Sequence, residues 1–221
     1  MARSLKKLIA AVFCLVLLFE LSSCAVNTKS AEQTGFSMGS LVGIKLYGKN
    51  SEALENANLL AEVVKTDERI SKNYEGSDIY RVNSSGEHGE TVSVETYDEL
   101  RTVCDVYSDS HGKAAALSGA LTELWGFDTD EFRLPSEDEI ISAKEKCGDD
   151  KLIFDDGKKV YIPDGAKLNL GSAGKGIALD EAVKKIDEIN SQGGKITGAV
   201  ISVGGSVATL SLIHISEPTR H

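Results

Sequence analysis

The run Asn169-Leu170-Gly171-Ser172-Ala173-Gly174-Lys175-Gly176-Ile177-Ala178-Leu179-Asp180 holds the residue types in this sequence best suited to chemistry. An apolar approach enters a glycine-rich turn, and the turn opens a helix. Such a turn aims backbone N–H groups and the positive end of a helix dipole at one point, which suits a phosphate. Its glycines let a ligand or another chain come close to the backbone. A nucleoside-triphosphate loop of the G-x-x-x-x-G-K-[ST] type is excluded. Asn169 stands where its first glycine would be, and Gly176 replaces the hydroxyl residue that would hold Mg²⁺. On this motif alone, a tight strand-to-helix turn without any ligand is an equal alternative. Lys175 suits a phosphate contact or a solvated helix face, and Asp180 suits a cap or a pair within the fold.

The remaining candidates are weaker. His88 lies in a polar loop and His111 at a helix end, with no partner cluster, so neither is assigned a metal or catalytic role. Trp125 suits a core position as well as a stacking one. Of the four cysteines, Cys104 falls on the apolar face of a helical pattern, where a buried free thiol is as expected as a disulfide to Cys147. The acidic run 128–139 reads as a solvated loop and helix start. A net charge of −10 disfavours nucleic acid.

The two ends stand apart from the domain. Arg3, Lys6 and Lys7 precede an apolar run, Leu8 to Leu21, that meets Ser22-Ser23-Cys24. A basic start, a short apolar run and small residues make a secretory signal, too short for a spanning helix. The small-small-Cys ending fits a lipoprotein, with residues 1–23 removed, Cys24 acylated, and 24–34 a flexible tether. Acyl chains at Cys24 would hold the protein on the extracytoplasmic face of the cell membrane or an equivalent surface. Leu210 to Arg220 matches a translated sequencing adapter, so 210–221 reads as a non-native tail and 35–209 as the natural domain. His214 and His221 are therefore set aside as ligands.

Periodicity supplies the elements that position the glycine-rich turn. Residues 40–47 alternate as a strand, and Ser51 is placed to cap one helix running to Ile70. A short helix is expected over 77–83, a strand over 91–95, and a helix to about Ser110. Ser136 and Glu139 form a capping-box signature for a helix through Cys147. Asp156-Gly157 signals a hairpin between 151–154 and 159–162. A short strand over 168–170, a helix over 174–190 and a final strand over 198–203 follow. Strands and helices mix without a regular βαβ beat, which predicts an α+β fold with mixed sheets and packed helices.

Five segments stand in order: Ser37-Met38-Gly39-Ser40, then Ile70 to Asn73 with Ser77 to Asn83, Leu124-Trp125-Gly126-Phe127, Asn169 to Asp180, and Val200 to Gly205. Together they resemble the ApbE family of FAD:protein FMN transferases. The resemblance covers 35–209. It implies a T-fold-like α+β domain that binds FAD and Mg²⁺ outside the cytoplasm. It also implies transfer of FMN to a Thr or Ser of an acceptor subunit in a membrane electron-transfer complex. By the same resemblance Met38, Asn73, Ala115, Gly171 and Ile177 lie at the flavin cofactor, and the Gly174 carbonyl is a metal ligand. Ala115 stands where the family has Asp, which implies weaker cofactor binding. The family's H-H-I-x-D-P motif and later Asp and Thr metal ligands have no counterpart in 35–209, so the chain is expected to be an inactive N-terminal portion. A non-catalytic flavin-binding lipoprotein and an unrelated surface lipoprotein are the alternatives.

Overall fold

The computed structural model describes residues 28–127, 129 and 131–211. The signal segment, Cys24, His214 and His221 lie outside the described residues. A four-stranded antiparallel sheet runs β1 (Lys29–Ser37), β2 (Ser40–Gly48), β6 (Ile196–Val203), β7 (Ser206–Ser211), in that spatial order. A second antiparallel sheet is small, with β3 (Glu90–Thr91), β5 (Lys159–Tyr161) and β4 (Ile153–Phe154) in order. Among the described residues seven α-helices accompany them: α1 (Ser51–Asn56), α2 (Leu59–Ile70), α3 (Asp78–Ser85), α4 (Val94–Asp109), α5 (Gly119–Trp125), α6 (Glu137–Lys144) and α7 (Gly174–Ser191). The architecture is α+β, as expected.

Two apolar cores divide the molecule. In one, Val42, Ile44 and Leu46 of β2 and Ile201 and Val203 of β6 meet Leu59 and Val63 of α2 and Ala178, Ala182 and Ile186 of α7. In the other, Ile79 and Val82 of α3 and Leu100 of α4 surround Val160, Ile162, Leu168 and Leu170. Met38 packs against both. Arg69 of α2 clamps the two bodies, forming a two-pronged ion pair with Glu99 of α4 at 2.6 Å on each side. The pair is largely withdrawn from solvent, where two-pronged charged hydrogen bonds are strong and directional.

Several expectations need correction. Residues 29–34 are not a tether but most of β1, hydrogen-bonded along β2 from Lys29↔Gly48 to Ser37↔Ser40. The single helix from Ser51 to Ile70 is two helices, because Asn58 takes a left-handed conformation between them. Asn50, not Ser51, caps the first, its side chain accepting from the N–H groups of Glu52 and Ala53. The strand expected over 91–95 is confined to Glu90–Thr91, since Ser93 caps α4 and Val94 begins it. Residues 168–170 form no strand, and a 3-10 turn spans Leu170–Ser172. The helix α6 stops at Lys144 rather than Cys147. The strand β6 is not the last described: it turns through Gly204-Gly205 into β7, which takes in Leu210 and Ser211 of the expected tail.

Candidate functional site

A cleft of about 170 Å³ opens at the seam between the cores. Its walls come from the β1–β2 turn (Met38), the end of α2 with the loop after it (Asp67 to Asn73), and the glycine-rich turn with the first residues of α7 (Asn169 to Lys175). Each wall is fixed by local chemistry.

The β1–β2 turn places Met38 and Gly39 at φ of 53° and 64°. Two central residues with positive φ make the turn that matches the twist of paired strands, and its second position suits glycine. Asp67 of α2 holds this turn. One carboxylate oxygen accepts from the Met38 N–H at 2.7 Å and from the Ser37 hydroxyl at 2.9 Å. The left-handed Met38 is thus anchored to a helix that packs under the sheet.

The second wall begins where α2 ends. Ser71 leaves the helix in an extended conformation while its N–H still donates to the Asp67 carbonyl. Ser77 donates its hydroxyl to the Ser71 carbonyl and accepts the Tyr80 N–H, so one side chain caps α3 and fixes the loop carrying Asn73.

The third wall is pinned from two sides. Asn169 accepts the Gly171 N–H at 2.9 Å, a local turn of the kind Asn favours, and donates to the Thr122 hydroxyl of α5 at 3.0 Å. Asn83 of α3 grips the approach to it, accepting the Leu168 N–H at 2.7 Å and donating to the Leu168 carbonyl at 2.9 Å. The helix α7 then starts with no side-chain cap and no acidic residue in its first turn. Its N-terminus therefore directs about half a positive charge at the cleft wall. Gly174 is buried there, and a Cβ on it would lie 3.3 Å from Ile70 Cδ1.

Lys72 and Lys175 bring cations to the same cleft. Lys175 is half-buried and reaches the β6–β7 turn: a Cβ placed on Gly204 would stand 2.9 Å from both the Lys175 ammonium and the Ser40 hydroxyl. That position favours an anion contact over a freely solvated helix lysine. An uncapped helix start, the Lys175 ammonium and a glycine turn are the kinds of group that suit a phosphate. The cleft is smaller than the ~300–1,000 Å³ typical of whole small-ligand pockets, so it has room for part of a dinucleotide.

The structure thus brings together Met38, Asn73, Gly171 and Gly174. It does not bring Ala115 or Ile177 to them. Ala115 lies in the turn before α5, where its carbonyl accepts the Ser118 hydroxyl. Ile177 packs against the second core and lines a separate groove between α4 and α7, because one helical turn carries it away from the glycine wall. Trp125 stacks on Phe127 at 6.0 Å, away from the cleft. Asp67, Lys72 and Asn169 went unassigned in the sequence reading. Asp67 was recoverable in part, as a carboxylate one helical turn before the Ser71 motif.

The ApbE family model matches residues 38–219. The chain belongs to the ApbE family. It is 21% identical over 216 residues to the FAD:protein FMN transferase of Haemophilus influenzae, covering 92% of this chain and 61% of that protein. The crystal structure of the ApbE protein of Thermotoga maritima superposes with a TM-score of 0.73 at 26% identity, over 82% of this chain and 59% of that one. The apo form of Pseudomonas stutzeri flavinyl transferase ApbE gives 0.67 at 23% identity, again over 82% and 59%. The ApbE-family chain spans about three fifths of the length of these relatives.

Mg²⁺ fits this part of the fold only in part. Among the described residues no three His, Cys, Asp or Glu side chains gather as a metal site. Asp67, the carboxylate on the cleft, is turned to Ser37 and Met38. The Gly174 carbonyl alone does not make the near-octahedral oxygen set Mg²⁺ demands.

Proposed function

We propose that this ApbE-family chain binds FAD at the seam cleft, with the pyrophosphate at the start of α7 and the flavin side toward Met38 and Asn73. The observation that carries the reading is convergence. Segments around residues 38, 67–73 and 169–175 form one small cleft, and one of its walls is the uncapped start of α7. In the proposed reaction a Thr or Ser hydroxyl oxygen of an acceptor protein bonds to the FMN phosphorus. The pyrophosphate P–O bond breaks and AMP leaves. Lys175 and the α7 start hold the diphosphate, and the Asp67-anchored turn orients the flavin side. Mg²⁺, with the Gly174 carbonyl as one ligand, would neutralise charge on the diphosphate. The acceptor class is a subunit of a membrane electron-transfer complex. The location is the extracytoplasmic face of the membrane, with a lipid anchor at Cys24.

The test is an FAD titration of the chain followed by flavin fluorescence. Lys175→Ala removes a charged contact and is expected to weaken FAD about ten-fold or more. Affinity unchanged by Lys175→Ala and by Met38→Ala would place FAD elsewhere. Mass spectrometry of a Thr-containing acceptor peptide after incubation with FAD and Mg²⁺ reads transfer. FAD bound with no mass added is the expected outcome for this N-terminal portion; the same outcome in a version that retains the H-H-I-x-D-P motif and the later Asp and Thr would favour a non-catalytic flavin-binding lipoprotein, the reading that Ala115 in place of Asp motivates.

A further inference from the structure

At the end of the large sheet opposite the cleft, three lysines meet. Lys29 begins β1, Lys49 follows β2, and Lys195 precedes β6. The strand register brings them together: Lys29 pairs with Gly48, Gly48 with Ile196, and the Lys49 N–H donates to the Lys195 carbonyl at 3.2 Å. With Asn50, Ser51, Glu52 and Gly193 they surround an open hollow, and all three lysines are exposed. Glu52 is the one carboxylate among the lining residues. Lys29 donates to the Ser51 hydroxyl, which leaves its charge uncancelled.

The placement of this patch gives it meaning. Lys29 is five residues after Cys24, a reach of at most about 18 Å when fully extended. The chain as a whole is acidic, with a net charge of −10, and an anionic surface repels its acidic faces. We infer that the Lys29, Lys49 and Lys195 end of the sheet is a docking surface for anionic lipid headgroups, which seats the anchored domain upright. The inference rests on the proposed anchor at Cys24. The nine residues of β1 separate this end from Met38 by about 27 Å. The seam cleft therefore faces away from the lipid surface, toward a protein acceptor standing off the membrane.

The experiment measures partitioning of the full chain onto phosphatidylcholine vesicles with and without 30 mol % phosphatidylglycerol. Wild type is compared with Lys29→Gln/Lys49→Gln/Lys195→Gln and with a control, Lys65→Gln/Lys113→Gln/Lys144→Gln, each also in a Cys24→Ser background. Each lysine near an anionic surface contributes roughly five-fold, so the first triple variant is expected to lose about 100-fold on anionic vesicles and nothing on neutral ones. The control is expected to track wild type, and raising salt should erase the difference. Equal partitioning of the two triple variants would overturn the docking surface. The Cys24→Ser background separates the two readings. A lysine effect that persists there supports the patch even if no anchor forms. Anchoring that depends on Cys24 with no lysine effect sinks the patch alone.

Discussion

Asp67 shows how much of the cleft depends on one side chain. Its carboxylate is half-buried and accepts two hydrogen bonds from a turn that is left-handed at Met38. Asp67→Ala would leave the Met38 N–H and the Ser37 hydroxyl without their acceptor, at a cost of about 1–3 kcal/mol. Asp67→Asn keeps an acceptor oxygen and should recover part of that loss. Urea unfolding midpoints for the three proteins check the order, wild type above Asn above Ala. FAD affinity is expected to fall in the same order, and an unchanged affinity in Asp67→Ala would show that the turn holds its shape without this anchor. Such residue roles were unevenly legible. Met38, Gly171 and Gly174 were legible as members of motifs shared with the family, and the two glycines also as parts of a tight turn where backbone can approach closely. Asn83 was visible only as a motif member. Its grip on Leu168, 85 positions away, exists only once the chain has folded.

Elements written in local chemistry were legible. Ser136 and Glu139 form the reciprocal capping box that their spacing announced. The Asp156-Gly157 signal does join two paired strands. Elements set by distant partners were not. The polar residues Ser30, Glu32, Gln33 and Thr34 have no strand signature of their own, and β1 exists because β2 offers its edge. The spacing of Leu54, Ala57, Ala61 and Val64 runs straight across the break at Asn58, so periodicity saw one helix. The helix α5 has only seven residues and starts at a glycine, too short for a period to register. The joint between α3 and α4 supports a prediction at this scale. Asp78, buried at the start of α3, accepts the Ser93 N–H at 3.0 Å, the Ser93 hydroxyl at 2.6 Å and Arg81 at 2.6 Å. Burial works to raise its pKa, but the hydrogen bonds from Ser93, Thr96 and Arg81 prevail and hold it below the usual carboxylate value. A depressed folded pKa contributes stability that is complete above the unfolded value of about 4 and is lost as pH falls through the folded value. Urea midpoints measured downward from pH 5 should therefore fall for wild type and fall less steeply for Asp78→Asn. Parallel slopes would show that Asp78 contributes nothing to acid sensitivity.

For the whole molecule, the large sheet buries one face and leaves the other open. On the buried face Val42, Ile44 and Leu46 meet α2 and α7. On the other face Phe36 pairs with Leu41, which are 69% and 77% exposed. Gly43 and Ser202 lead across to Val207, at 59% exposed, and Val200 stands beside Lys45. Residues of alternating side along paired strands put these apolar groups on one surface. The outer edges of β1 and β7 carry backbone groups with no neighbouring strand among the described residues. An apolar sheet face bounded by two open edges is a template for pairing with another copy. The 221-residue chain is therefore expected to self-associate as its concentration rises. Leu41→Lys with Val207→Lys places two charges on that face without touching the buried one, and should shift sedimentation profiles toward monomer while the circular dichroism spectrum is kept. The cleft lies on the other side of β2, against α2 and α7, so FAD affinity should follow neither substitution. A wild-type chain that sediments as monomer at every concentration would mean that Lys45 and the polar residues between Leu41 and Val207 suffice to keep this face in water.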